Sequence, residues 1–503
     1  MSRLVFQLSG SVGLDNLTHV QISLSEPPVF GVPAHPFHCT GDEKALTALR
    51  DTRTPVDDAT RNAGLFLYEE VMRHPGVATH LPAALSTQRP QRYPVFVELA
   101  TGAEIEALPW ESLCSPDGDF LGLDERWAVG RIVSSPIVGE PYWYFAPPLR
   151  IAAVLSCLGI PAADEWQAFQ DALAAVPGAA VELLVVVSEH ALYEQLSGEG
   201  GPAHLEMMPE DLADLQRLVA GFRPHLLHFF CHGSVRGGPH LELAFGTDWT
   251  TERPERSLTV EAREFRDFVE GACDPPWMTV LNCCQSAACG DGPENLQSMA
   301  LQLVYEGGLP AVIGMRESVP QDDAVLFTRA FYERLLRELE GRADAPPDTD
   351  EPIDWAMLLV AVRTRLAHKH KGMTLSQAAS STKEWTIPAV YLRPTPTSVR
   401  PAPPAPPVPP APPTPAPEPQ PADGPPPGTL SGTGTLSVTG GSSVGGSGVA
   451  ERPGDAPRSR RAARKEIEVL KGLLAQLPAS MPAALRQDAE ARLGELTRLL
   501  ERR

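Results

Sequence analysis

Two short segments of this chain carry side chains able to do nucleophilic chemistry, and both follow apolar runs. HLLHFFC (225–231) is followed by His232 and Gly233, and WMTVLN (277–282) by Cys283 and Cys284. A free thiol titrates near pH 8.5, so at neutral pH it is a weak nucleophile. A neighbouring imidazole can take its proton or lower that value, and can then protonate a leaving amine. Gly233 has no side chain, so its backbone N–H can approach a substrate carbonyl closely. With the N–H of the nucleophile it would form an oxyanion hole, usually the larger catalytic contribution.

For this chemistry the two segments must be brought side by side, and the surrounding pattern says how. From residue 149 short apolar runs alternate with amphipathic stretches: LRIAAVLSCL (149–158), AVELLVVVS (180–188), HLLHFFC, WMTVLN, LPAVIGM (309–315) and TIPAVYL (386–392). Helical candidates lie near 164–176, 209–221, 260–271, 295–306, 321–341 and 353–371. Short, fully apolar strands separated by helices indicate a doubly wound, mostly parallel sheet of six strands covered on both faces. Active sites of such sheets lie beyond the carboxyl ends of the strands. If the third and fourth strands are neighbours, their tips sit about 5 Å apart and His232 can reach a thiol.

Residues 1–57 read as a β-rich lead-in and 58–147 as a smaller N-terminal α+β subdomain, with helical spacing over 60–74, a strand at YPVFVEL (93–99) and a turn at LPWESL (108–113). The main α/β domain spans 148–393. Residues 394–457 are first Pro-rich, favouring extended polyproline II segments, and then Gly/Ser/Thr-rich, the composition of a disordered linker. Over 458–503 Ile467, Leu470, Leu474 and Leu477, then Leu485, Ala489, Leu493, Leu496 and Leu500, fall at helical spacing around Pro478 and Pro482. This predicts a helical hairpin of coiled-coil type that docks on a helical partner or self-associates, since it is too small to bury both stripes.

Of 503 residues 43% are hydrophobic and 21% charged, as in an ordinary globular protein, and many of the 53 prolines crowd into the linker. The net charge is −21; from Glu451 onward twelve basic and eight acidic residues give +4, leaving −25 on the rest. An acidic body argues against nucleic acid or anionic membrane as partner. The opening MSRLVFQLSGS lacks a signal-like apolar run, and no stretch approaches the length of a membrane span. The expectation is a cytoplasmic protein whose eight cysteines, without a C-x-x-C pair, are mostly free thiols.

FFCHGS and LNCCQSA resemble the His and Cys motifs of the CHAT proteases, relatives of caspases and separases with the caspase–hemoglobinase fold. The 52-residue separation of His232 and Cys284 agrees with the spacing described for caspases. LPWESL, GLPAVIGM (308–315), AFYERLL (330–336) and WTIPAVYL (385–392) extend the resemblance over about residues 60–393. It implies that His232 is the catalytic histidine, Gly233 the glycine after it, and Cys284 the nucleophile, with Cys283 as the small residue that precedes it. Alternation along the strand agrees, because only one of two adjacent thiols can face the cleft. The resemblance also puts Asn282 where metacaspases carry an acidic residue that helps bind Arg or Lys.

Asn282, Glu317 and Asp322 are candidate lining of a substrate pocket; Glu317 and Asp322, with Asp248 and Asp323, would otherwise form a solvated acidic rim. His228, Cys231, His232, Cys283, Cys284 and Cys289 could in principle hold zinc, but neighbouring cysteines chelate poorly and no pair has ligand spacing, so no metal or cofactor is expected. Trp110 and Trp385 read as packing anchors. Two functions compete: a cysteine endopeptidase cutting specific partner proteins in a prokaryotic regulatory or defence pathway, as the resemblance implies, and a non-proteolytic signalling scaffold binding partners through the caspase-like domain and the hairpin. The presence of both dyad members favours the enzyme.

Overall fold

The apolar runs become strands. In chain order they are β1 (Leu4–Val12), β2 (Thr18–Glu26), β3 (His35–Phe37), β4 (Val95–Leu99), β5 (Val129–Val133), β6 (Tyr142–Phe145), β7 (Leu149–Leu155), β8 (Val181–Val187), β9 (His204–Met207), β10 (Leu226–Ser234), β11 (His240–Ala244), β12 (Ser257–Glu261), β13 (Met278–Cys283), β14 (Ala311–Met315), β15 (Pro388–Leu392) and β16 (Ser398–Pro401). The computed structural model describes residues 3–401 apart from 13–17, 30, 40–42, 52–54, 87–91, 100–102, 138–141, 199–200, 245–256, 273–275, 290–296, 344–351 and 397. The hairpin expected over 458–503, the Gly/Ser-rich stretch, most of the Pro-rich stretch and Asp248 lie outside the described residues.

The helices are α1 (Lys44–Asp51), α2 (Ala59–Met72), α3 (Pro75–Leu85), α4 (Ala103–Glu106), α5 (Ala163–Ala175), α6 (His190–Leu196), α7 (Leu212–Phe222), α8 (Ala262–Ala272), α9 (Met299–Tyr305), α10 (Gln321–Ala343), α11 (Trp355–His368) and α12 (Leu375–Ser381). Alternate residues of the strands feed two cores. On one face Leu227, Phe229 and Leu281 pack with Val219 of α7, Phe265 and Phe268 of α8 and Leu303 of α9. On the other, Leu226, Phe230 and Val280 pack with Phe169 of α5, Phe331 of α10 and Leu358 of α11. Strands buried on both faces need no polar alternation, which explains their near-continuous apolar sequence.

The sheet is mostly parallel, as expected, but it is larger than six strands. Its order is β3-β2-β1-β4-β5-β15-β14-β13-β10-β7-β8-β9, with β11 and β12 branching from β10. The residues read as a separate N-terminal lead-in and subdomain supply one half of this sheet. The join is β15, parallel to β5 through Tyr391↔Arg131 and antiparallel to β14. Residues 398–401, assigned to the linker from sequence, instead pair with β6 as β16.

A buried ion cluster reinforces the join. LPWESL forms a short 3-10 turn, with Trp110 and Trp385 fully buried as packing anchors. Its Glu111 is clamped by Arg131 of β5, whose Nε and Nη2 each lie 2.9 Å from a carboxylate oxygen, and by Arg316, just past β14, at 3.3 Å. Burial alone would raise the Glu111 carboxyl, but Arg131 and Arg316 hold it below the usual carboxylate range.

Candidate active site

β10 changes partners at the point where chemistry would occur. Leu226–Cys231 lie parallel to β13, ending at the pair Cys231↔Cys283, and Leu226–Phe230 pair with β7 on the other side. His232–Ser234 then run antiparallel to β11. His232 and Cys284 are therefore the next residues after the last shared pair of two adjacent strands. Both line one small cavity of about 30 Å³, together with Ser156, Ile160, Val319 and Ala324.

The imidazole is held from behind. His232 Nε2 lies 3.0 Å from the carbonyl oxygen of Leu158, in the segment leaving β7. A carbonyl only accepts, so Nε2 carries the proton and the neutral ring keeps its lone pair on Nδ1, the form a general base needs. The Cys284 thiol accepts a hydrogen bond from the Val319 backbone N–H at 3.4 Å. Burial pushes this thiol up from its ordinary value, with the Val319 N–H opposing and neighbouring Cys283 adding to the rise. Cys284 thus rests as a thiol.

The turn after Cys284 is tightly fixed. Gln285 adopts φ +56°, the left-handed region unusual for a side-chain-bearing residue, and its N–H donates to Glu317 O at 3.1 Å. Ser286 Oγ shares its one proton between the carbonyls of Leu281 (3.0 Å) and Cys283 (2.9 Å) and accepts from the N–H of Met315 (2.9 Å). Gly233 is required by space: a Cβ there would come within 2.2 Å of Cys284 O. Gln285, Arg316, Glu317, Lys383 and Glu384 also border an open cleft of about 750 Å³.

A family model described as the CHAT domain matches residues 62–349. The chain belongs to the CHAT-domain family. No curated protein matches it. Among solved structures, separase of Saccharomyces cerevisiae in its securin complex is similar at 14% identity and a TM-score of 0.32, covering 66% of this chain and 18% of that one. The Arg-specific cysteine proteinase gingipain R is similar at 12% identity and 0.33, covering 64% and 67%, and the complex of Porphyromonas gingivalis RgpB pro- and mature domains at 12% and 0.32, covering 67% and 69%. This chain spans less than a fifth of the separase chain. At these TM-scores the overlap is too loose to transfer any residue's role.

The CHAT domain brings His232, Gly233 and Cys284 together but scatters the candidate pocket residues. Asn282 borders the small cavity, yet its amide is committed: Nδ2, with two protons, lies within hydrogen-bond distance of three acceptors, Glu165 Oε1 (3.0 Å), Ala324 O (3.1 Å) and Thr328 Oγ1 (3.1 Å). Glu317 lines the larger cleft and is paired with Lys383 at 2.7 Å. Asp322 is exposed on the first turn of α10 and borders neither cavity, while Asp323 is buried against Lys369. Among the described residues no cluster of three or more His, Cys, Asp or Glu has a metal-holding arrangement.

Sequence reasoning missed Leu158, Val319, Ser286 and Glu165. The first two act through their backbones, which no side chain announces. Glu165 of α5 lies fully buried, with Oε1 within 2.9 Å of His228 Nε2 as well as bonded to Asn282 and Thr328. The only signal was a carboxylate on the inner side of an amphipathic helix.

Proposed function

We propose that this CHAT domain is a cysteine endopeptidase with His232 and Cys284 as its dyad. The observation that carries the reading is that the two side chains follow the last shared pair of adjacent parallel strands and line one cavity, with the imidazole held in the tautomer that leaves Nδ1 basic. In this mechanism a peptide lies along the cleft bordered by Gln285 and Glu317. His232 Nδ1 takes the Cys284 proton as sulfur attacks the scissile carbonyl, and the oxyanion is met by the backbone N–H groups of Gly233 and Cys284. The imidazolium gives its proton to the leaving amine, and water then hydrolyses the thioester. No metal or cofactor enters any step.

Membership of the CHAT family supports a protein substrate and a role in prokaryotic regulation or defence, cutting a few partner proteins rather than digesting many, with residues 458–503 recruiting a partner or a second copy. Asn282 lacks the charge to select basic residues by itself, and Glu317 is the better placed candidate for contact with bound peptide. No helix among the described residues is long and apolar enough to cross a membrane.

The test is labelling of the full chain with a peptidyl electrophile, followed by a peptide-library cleavage profile. Cys284 should label selectively, and His232→Ala should slow labelling about 100-fold or more, the usual contribution of a positioned base. Labelling of Cys284 no faster than of buried Cys39 or Cys114, and unchanged in His232→Ala, would instead favour a binding scaffold.

A further inference from the structure

Immediately behind the dyad lies a second pair of thiols that the proposed mechanism leaves unused. Cys231 and Cys283 are direct partners in the β10–β13 register, on the face opposite His232 and Cys284. Their sulfurs are 3.1 Å apart, already closer than two unbonded sulfurs usually rest. A disulfide bond is about 2.05 Å long, so a relative movement of about 1 Å would close it. Their environments differ in a useful way. Cys283 is buried, with its Sγ 3.4 Å from Phe229 O, whereas Cys231 is half-buried. Of the pair, the half-buried Cys231 is the one a small oxidant meets first.

We propose that Cys231 and Cys283 form a reversible disulfide across β10 and β13 that turns the dyad off under oxidising conditions. The bond itself follows from the geometry of the pair; only its effect on catalysis rests on the endopeptidase reading. With hydrogen peroxide as oxidant, the Cys231 sulfur attacks one peroxide oxygen, an S–O bond forms, the O–O bond breaks, and one water leaves with the thiol proton. The Cys283 sulfur then attacks the Cys231 sulfenic sulfur: the S–S bond forms, the S–O bond breaks, and the hydroxyl leaves as a second water with the Cys283 proton. Two thiols lose two electrons and one peroxide becomes two waters; a dithiol reverses the change by exchange. Burial pushes the Cys283 thiol well above its ordinary value, with Cys231 adding to the rise, so Cys283 is not the thiol that initiates; its attack on the Cys231 sulfur relies on the 3.1 Å approach of the two sulfurs.

The bond would act on the site because each cysteine is the residue before a dyad member. Drawing the two strand ends together by about 1 Å shifts His232 and Cys284 relative to one another, and a misplacement of that size can cost about 100-fold in rate. There is no slack to absorb it: Gly233 already approaches Cys284 O so closely that a Cβ has no room.

The experiment treats the full chain with hydrogen peroxide or with dithiothreitol, quenches with N-ethylmaleimide, and maps peptides without reduction. A second aliquot reports the rate at which a peptidyl electrophile labels Cys284. The expected result is a Cys231–Cys283 linked peptide, 2 Da lighter than the two thiol peptides together, with labelling slowed about 100-fold and restored by dithiothreitol. Cys231→Ala should label normally when reduced and give no linked peptide; Cys283→Ser, at the more buried position, repeats the test from the other side. Absence of the linked peptide at peroxide levels that oxidise Cys284, or a link joining Cys284 instead, would overturn the proposal. A linked peptide with unchanged labelling would overturn the switch. If reduced wild type fails to label at Cys284 at all, the endopeptidase reading fails, while the peptide map still decides whether the pair forms.

Discussion

At the scale of the residue, the decisive feature is that the proposed nucleophile, Cys284, rests with its proton on. Burial outweighs the backbone N–H groups of Val319 and Cys284 that would favour a thiolate, so in the proposed reaction Cys284 sheds its proton during attack, and the lone pair on His232 Nδ1 is the acceptor proposed for it. This predicts the pH profile of a simple alkylation by iodoacetamide in the absence of substrate. A thiol held above its ordinary value of 9.0 reacts through a small thiolate fraction, so the rate should climb about tenfold per pH unit through neutrality and continue rising past pH 9. A plateau near pH 6–7 would mean a preformed thiolate–imidazolium pair and would contradict the resting state argued for here. The placement of His232 and Cys284 at neighbouring strand ends was legible in the sequence because strand ends and residue types are local properties. The groups that tune them were not: Leu158 and Val319 contribute peptide atoms common to every residue, and Glu165 meets Asn282 from 117 positions away. The meaning of Asn282 was accordingly half visible. Its lack of charge could be read directly, but its role as a donor to a buried carboxylate required knowing which helix lies over β13.

At the scale of the element, the site depends on two strand tips finishing together and then diverging. β10 exchanges β13 for β11 after Cys231, and β13 breaks into the Gln285 turn pinned by Ser286. Gly233 sits where the two paths pass. Gly233→Ala introduces a Cβ 2.2 Å from Cys284 O, which forces the tips apart or unmakes the β10–β11 pairing. The expected cost is about 1–3 kcal/mol in denaturant unfolding, with labelling of Cys284 falling much further than that loss explains in the remaining folded protein. Normal stability together with normal labelling would show that the tips have room after all. The central strands were readable because each is a continuous apolar run between helices. The hairpin of β11 and β12 was not, since HLELA and SLTVE are short and only half apolar, and α6 and β9 were hidden for the same reason.

At the scale of the whole molecule, the sheet that holds His232 and Cys284 is one structure with its N-terminal half, and that continuity has measurable consequences. β1 lies between β2 and β4, with Leu4, Phe6 and Leu8 fully buried. A chain beginning at residue 58 should therefore expose the edge of β4 and aggregate, whereas a dispensable lead-in would leave a folded, labelling-competent protein. Pairing between strands so distant in sequence is specified by register and packing rather than by any local signal, which is why residues 1–147 looked like separate pieces. The ion cluster at the join gives a sharper test. Glu111 is fully buried between Arg131 and Arg316, so Glu111→Gln leaves the arginines short of one negative charge and should cost about 3–5 kcal/mol near pH 7. The sign of its pH dependence follows from the carboxyl being held below 4.5 in the folded state. Its stabilisation is complete above the unfolded value and is lost as pH falls through the lower, folded one. Urea unfolding of wild type and variant should therefore show a gap that is constant from pH 7 to about 5 and closes on further acidification; a gap unchanged at pH 3 would mean that the carboxylate's charge does not hold the two halves of the sheet together.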